Sequence, residues 1–171
     1  SYGNTSRITP NRAAGYQPSA EGIQNAPFLS MTQPYAAGSL LSTVEDLSIW
    51  YHALRTGKVI SKASLEKALT TYRLNDGRPA GYGYGWFLGE VQGSPMYQHG
   101  GGINGFLTAS VFLPEEEVFV AVFSNCNCNG PSETAFRMAA IAIDKPFDRK
   151  KIKVSDKELA TYEGVYVTEF G

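Results

Sequence analysis

His99 and the glycines that follow it, in MYQHGGGINGF (residues 96–106), carry the most concentrated chemistry in the chain. An imidazole exchanges its proton near neutral pH, and glycine lets a ligand approach the backbone with no side chain between. Several patterns fit. Gly100-Gly101-Gly102-Ile103-Asn104-Gly105 matches the dinucleotide fingerprint G-x-G-x-x-G, and His99-Gly100-Gly101-Gly102 matches the HGGG oxyanion hole of lipases. A glycine-rich hairpin turn without chemistry is the remaining alternative.

The flanking residues separate these patterns. The dinucleotide fingerprint ends a strand and opens a helix whose N-terminus faces the pyrophosphate, whereas Phe106 opens a β-rich run. The lipase pattern needs a G-x-S-x-G nucleophile elbow on a parallel sheet. The chain offers only Gly130-Pro131-Ser132-Glu133-Thr134, and its short connections require antiparallel pairing. Both are set aside.

Several elements must position the stretch. Residues 1–37 are rich in Pro, Gly, Asn and Ser and show no sustained periodicity, which predicts a loop lying over a larger body outside the chain. Ser42-Thr43-Val44-Glu45 predicts a capping box, followed by a helix burying Val44, Leu47, Trp50, Tyr51 and Leu54 and stopped by Gly57. His52 falls opposite that stripe, as a solvated histidine. A second helix is expected after Ser61, with Leu65, Ala68, Leu69 and Tyr72 inward. In GYGYGWFLGEV, Tyr82, Tyr84, Trp86 and Leu88 alternate with glycines, predicting a strand closely approached on its glycine face. Further strands are expected over residues 95–99, 106–113 and 118–124, with a turn at 114–117. The last two are nearly continuous apolar runs, so both of their faces should be covered. A third helix opens near Pro131, with Phe136, Ala139, Ala140 and Ile143 inward, and ends before Pro146. DRKKIKVSD reads as a charged linker, and LATYEGVYVTEF as the opening of another β element. The fold class is α+β, an antiparallel sheet with helices packed on it.

Bulk properties exclude other classes. The 171 residues hold 15 Lys plus Arg against 16 Asp plus Glu and are 43% hydrophobic. That balance gives no electrostatic footprint for nucleic acid or an anionic membrane surface, and no apolar run reaches the ~18 residues of a membrane span. Cys126 and Cys128, two apart at an expected strand end, point to opposite faces and are expected as free thiols. With only His52 and His99 beside them the ligand set for a metal is too small, and no cofactor is expected.

In this context the chain resembles the serine β-lactamase and penicillin-binding-protein superfamily, in its class C β-lactamase, D-aminopeptidase and esterase branch. The family's third motif, Lys-Thr-Gly or His-x-Gly on the strand lining the active site and often continuing to Asn-Gly-Phe, is similar to His99-Gly100-Gly101 and Gly102-Ile103-Asn104-Gly105-Phe106. AAGSLLSTVEDLSIW resembles the family's small-residue turn and capped helix, and GYGYGWFLGE the strand before the third motif. The resemblance covers roughly residues 10–145 in the family's order.

It implies a partial β-lactamase/transpeptidase-like fold and acyl transfer on a small ester, amide or β-lactam. His99 and the Gly102 N–H would be catalytic, Gly102 as an oxyanion donor, and Gly100, Gly101 and Asn104 would bind substrate. It also implies a periplasmic or extracellular location. The family's nucleophile motif, Ser-x-x-Lys, has one formal match in Ser64-Leu65-Glu66-Lys67, but Lys67 points outward on the helical wheel. Tyr2-Gly3-Asn4 matches Tyr-x-Asn, yet no apolar helix follows it. Both essential motifs are therefore expected upstream of Ser1. On this reading residues 1–147 are the C-terminal portion of a hydrolase domain, inactive alone, and 148–171 a linker and the start of a further β domain. In the resembled fold an N-terminal strand pairs with the one here at 118–124. Its absence leaves an open edge able to self-associate. A non-catalytic homologue binding peptidoglycan peptides or another acyl ligand is the alternative, and a separate small β-rich binding module is a third reading.

Overall fold

A computed structural model of the protein describes residues 8–148 and 152–166. Structure starts earlier than the polar composition predicts. Tyr16–Ser19 (β1) and Gly22–Asn25 (β2) pair as an antiparallel hairpin. The hairpin rests on this chain's own body: the Tyr16 N–H donates to the Asn125 carbonyl at 2.9 Å, and the Tyr16 carbonyl accepts from Asn127 N–H at 2.9 Å. After one helical turn, Tyr35–Gly38 (α1), comes the helix Val44–Arg55 (α2). Its cap is Thr43, one residue later than expected, with Thr43 Oγ1 accepting from Asp46 N–H at 3.1 Å. Its end is closed by Gly57 at φ +78°. There Lys58 N–H reaches Ala53 O and Gly57 N–H reaches Leu54 O, so the last carbonyls are satisfied.

Tyr51 and Leu54 of the expected stripe are buried, whereas Val44 and Trp50 are exposed. The next helix, Lys62–Ala68 (α3), is capped by Ser61. It half-buries Leu65 and Ala68, but Tyr72 lies beyond its end and is exposed.

The sheet is Phe87–Val91 (β3), Ser94–Ile103 (β4), Phe106–Leu113 (β5) and Val118–Ser124 (β6), antiparallel in that order. Two expectations are corrected. The strand at GYGYGW begins only at Phe87, because Gly81 and Gly85 take φ +65° and +83° and bend the chain into a turn. The expected close approach holds at Gly83, where a Cβ would sit 2.1 Å from the Ala68 carbonyl oxygen. The strand at 95–99 runs on through all three glycines to Ile103, since β5 pairs with it along its length. Glycine's poor strand propensity is overruled by that ladder.

Alternation sorts the side chains. One face, with Val91, Met96, Ala109, Val111, Leu113 and Val120, packs on Ala135, Ala139 and Ala140 of helix Ser132–Ala142 (α4). The other face presents Phe112 and Phe119 to Tyr51, whose ring centroid lies 4.5 and 4.3 Å from theirs. The apolar strands are thus covered on both sides. At the end of the sheet that holds the β3–β4 and β5–β6 turns, buried Ser94 donates to Glu116 and accepts from Lys145 Nζ at 3.2 Å. Two turns and the residues after α4 are thereby tied together.

Cys126 and Cys128 are joined in a disulfide, in place of the free thiols expected. β6 ends at Ser124, whose hydroxyl bonds the backbone of Cys126. The chain therefore turns, and the two Cα atoms come to 5.1 Å, within bridging distance. Toward the C-terminus, Asp156–Leu159 (α5), capped by Ser155, and a 3₁₀ turn at Ala160–Tyr162 stand where a β element was expected. The end of that stretch, like Tyr2-Gly3-Asn4, lies outside the described residues.

Candidate active site

The ladder fixes what β4 can offer. The β3–β4 turn puts Val91 opposite Ser94, with Gln92 and Gly93 both at positive φ, the two-residue turn that closes on a hydrogen-bonded pair. Backbone groups of Ser94, Met96 and Gln98 therefore point to β3, and Pro95, with no N–H to give, points away. Continuing the alternation, Gly100 and Gly102 aim their N–H and C=O groups to the same side. But β3 starts at Phe87, opposite Gln98. Among the described residues no strand pairs with Gly100 or Gly102 there, so the glycine half of β4 has a free edge.

His99 stands at the root of that edge, exposed, opposite Ser110. Its Nε2 lies 3.0 Å from Tyr82 Oη, and its Nδ1 contacts the Gly100 carbonyl. The Phe87 ring is 5.6 Å away and Tyr82 meets Phe87 edge-on at 4.6 Å, so three rings box one another. Ser110 Oγ donates to the His99 carbonyl at 3.1 Å.

Gly101 and Gly102 are exposed, Gly100 half-exposed. A Cβ on Gly100 would come within 2.9 Å of the Thr108 carbonyl oxygen, so the sheet itself demands glycine there. Gly102 N–H, about 10 Å along the strand from His99 at the usual rise, is a backbone donor without a ladder partner among the described residues. Asn104 is elsewhere. It lies past the end of β4 in the turn to β5, and its amide donates to the Pro27 carbonyl at 3.1 Å. It lines a cavity of about 130 Å³ with Arg12, Phe28, Met31 and Phe106. Beside it Gly105, at φ +81°, lies so close to Gly15 that a Cβ would sit 2.6 Å from that backbone. The structure therefore brings His99, Gly100, Gly101 and Gly102 onto one edge and puts Asn104 at its far end.

Tyr82 was missed as a site residue. Gln92-Gly93 as a turn sets the register of the β3–β4 hairpin and brings the residues just before Phe87 beside His99. Among the described residues no group of three or more His, Cys, Asp or Glu could hold a metal ion, and no helix is long and apolar enough to cross a membrane.

Known proteins resemble this chain in sequence and fold. A penicillin-binding protein of Bacillus subtilis (strain 168) is 31% identical over 147 residues, covering 78% of this chain and 32% of its own. The octameric penicillin-binding protein homologue from Pyrococcus abyssi superposes with a TM-score of 0.66 at 29% identity, over 78% of this chain and 31% of that one. A D-stereospecific amidohydrolase from Streptomyces sp. gives 0.61 at 24% identity, over 78% and 40%, a likeness of fold alone. The chain thus spans about a third of its curated relative's length. The family model Beta-lactamase matches residues 1–143, the span that holds the sheet, its helices and the free glycine edge, and the chain belongs to that family.

Proposed function

We propose that this chain supplies the substrate-binding strand of a serine hydrolase that works through an acyl-enzyme. The free edge of β4 carries the reading: it offers Gly102 N–H with no ladder partner among the described residues, on the same strand as the exposed imidazole of His99. A carbonyl laid along the edge would meet that donor as its oxygen becomes negative, the interaction that favours the transition state over the ground state. Exposed glycines leave room for the substrate's own backbone. Esters, amides and β-lactams present the carbonyl this edge fits. The nucleophile and its base are assigned to sequence outside these 171 residues, because Ser64 and Lys67 sit on the exposed surface of α3, away from β4. The β6 edge is further proposed as a self-association surface, in keeping with the octameric relative.

An activated ester tests the assignment. None of this chain's serines should be acylated, by intact mass, and turnover depending on one of them would sink it. In a longer natural form that does turn over, Gly102→Pro removes the N–H from an edge position where proline is tolerated. It should lower kcat by about 10²–10³, as loss of one oxyanion donor does. An unchanged kcat would remove Gly102 from the mechanism.

A further inference from the structure

Tyr82 reads in the sequence as one of three aromatics that share a strand face with Leu88, yet its hydroxyl lies on the nitrogen the site would use. A carbonyl oxygen only accepts, so the Nδ1 that contacts Gly100 O carries hydrogen. In neutral His99 the other nitrogen, Nε2, is then a lone pair, and Tyr82 O–H donates to it across 3.0 Å. Both ring nitrogens are filled from within the protein. Substrate has no direct access to either unless the tyrosine is displaced, and Tyr82 is half-buried against Phe87 and bridged to it through the backbone.

We propose that Tyr82 is the substrate-facing member of this pair, and that His99 exchanges protons with a bound substrate through the Tyr82 hydroxyl. The inference rests on the acyl-transfer reading of the edge. The hydroxyl that attacks the substrate carbonyl, a nucleophile's or a water's, gives its proton to Tyr82 Oη as the tyrosine's own proton passes to Nε2. The attacking oxygen uses the freed pair to bond the carbonyl carbon, whose π pair moves onto the carbonyl oxygen, while His99 becomes imidazolium and Tyr82 ends neutral. Return of the protons by the same route serves a leaving group. While His99 is protonated both of its nitrogens donate, so Tyr82 oxygen accepts and its O–H turns outward, toward an anionic oxygen. His99 is then a positioning residue and proton reservoir behind the tyrosine.

Imidazole nitrogen NMR on the chain tests the pair directly, because only His52 and His99 contribute signals and exposed His52 is the internal control. In its neutral form His99 should be the Nδ1–H tautomer with a hydrogen-bonded Nε2, while His52 takes the Nε2–H form usual for a free side chain. Diethyl pyrocarbonate, which attacks an unprotonated ring nitrogen, should modify His99 several-fold more slowly than His52. Tyr82→Phe should erase both differences. An Nε2–H His99, or equal reactivity of the two histidines in the unaltered chain, overturns the proposal with no variant needed. In a longer natural form that hydrolyses an activated ester, Tyr82→Phe should lower kcat with KM little changed. An unaffected kcat there overturns the relay and leaves the hydrolase reading intact. Absence of turnover in every form sinks that reading alone, since tautomer and reactivity are measured without it.

Discussion

Tyr51 shows how a single buried atom sets a pH limit. Its ring stacks on Phe119 with planes 4° apart, while its hydroxyl is buried with no hydrogen-bond partner among the described residues. Burial holds that hydroxyl's pKa far above the usual tyrosine range; Arg55 opposes the shift and Glu117 adds to it. The acid is therefore weaker folded than unfolded. Its contribution to stability is whole below about pH 10, the unfolded value, and is lost as pH rises beyond it. Tyr51→Phe keeps the stacking and removes an unsatisfied polar group, so it should be neutral to about 1 kcal/mol stabilising, or some 2–4 °C in Tm. Melts at pH 8 and pH 11 check this: the variant should lose less stability between them. An equal loss would take Tyr51 out of the alkaline response. At this scale His99 was legible from its glycine neighbours. Tyr82 was not, because a period of two says which face a residue occupies and nothing about which partner lies across the next turn.

The strands illustrate what a sequence pattern can carry. β5, β6 and the turn between them fall where the β-branched and aromatic runs and Pro114-Glu115-Glu116-Glu117 put them. The glycine half of β4 does not, since glycine has no side chain to signal a strand and only pairing with β5 makes it one. Cys126–Cys128 escaped for a related reason: the end of β6 is set by the Ser124 hydroxyl, a contact invisible to periodicity. Amide hydrogen exchange tests the resulting ladder. The N–H groups of Gly101 and Ile103 face β5 and should be protected, while those of Gly100 and Gly102 should exchange many-fold faster. Uniform protection along residues 100–103 would mean that another segment covers the edge.

Over the whole molecule, the sheet leaves two unlike margins. On β4 the free stretch is glycine-rich and short. On β6 it is the full strand, apolar, with no second strand beside it among the described residues and Phe123 37% exposed. Such a margin invites another strand. Sedimentation over a concentration series should show association, and Phe123→Lys, which puts a charge on the margin without emptying the core, should return the chain to monomer. A monomer at every concentration in the unaltered protein would show that the margin is already satisfied. The family, the α+β class and the both-sided burial were all legible beforehand. The hairpin at 16–25 was not, because its polar sequence folds only against the loop after β6.

The tie of Ser94 to Glu116 and Lys145 has a mechanical consequence. It grips the sheet at one end, and at the other the glycine half of β4 runs past β3 with β5 on one side only, so its outer side is the less supported one. The far end of that half carries the Gly102 amide, the proposed donor. What braces that end is the Asn104 amide on Pro27 and the backbone contact of Gly105 with Gly15. Asn104 thereby serves as a stay, and the aim of the proposed donor depends on a loop whose Pro27 lies 77 residues from Asn104 along the chain, which no local pattern around residue 102 records.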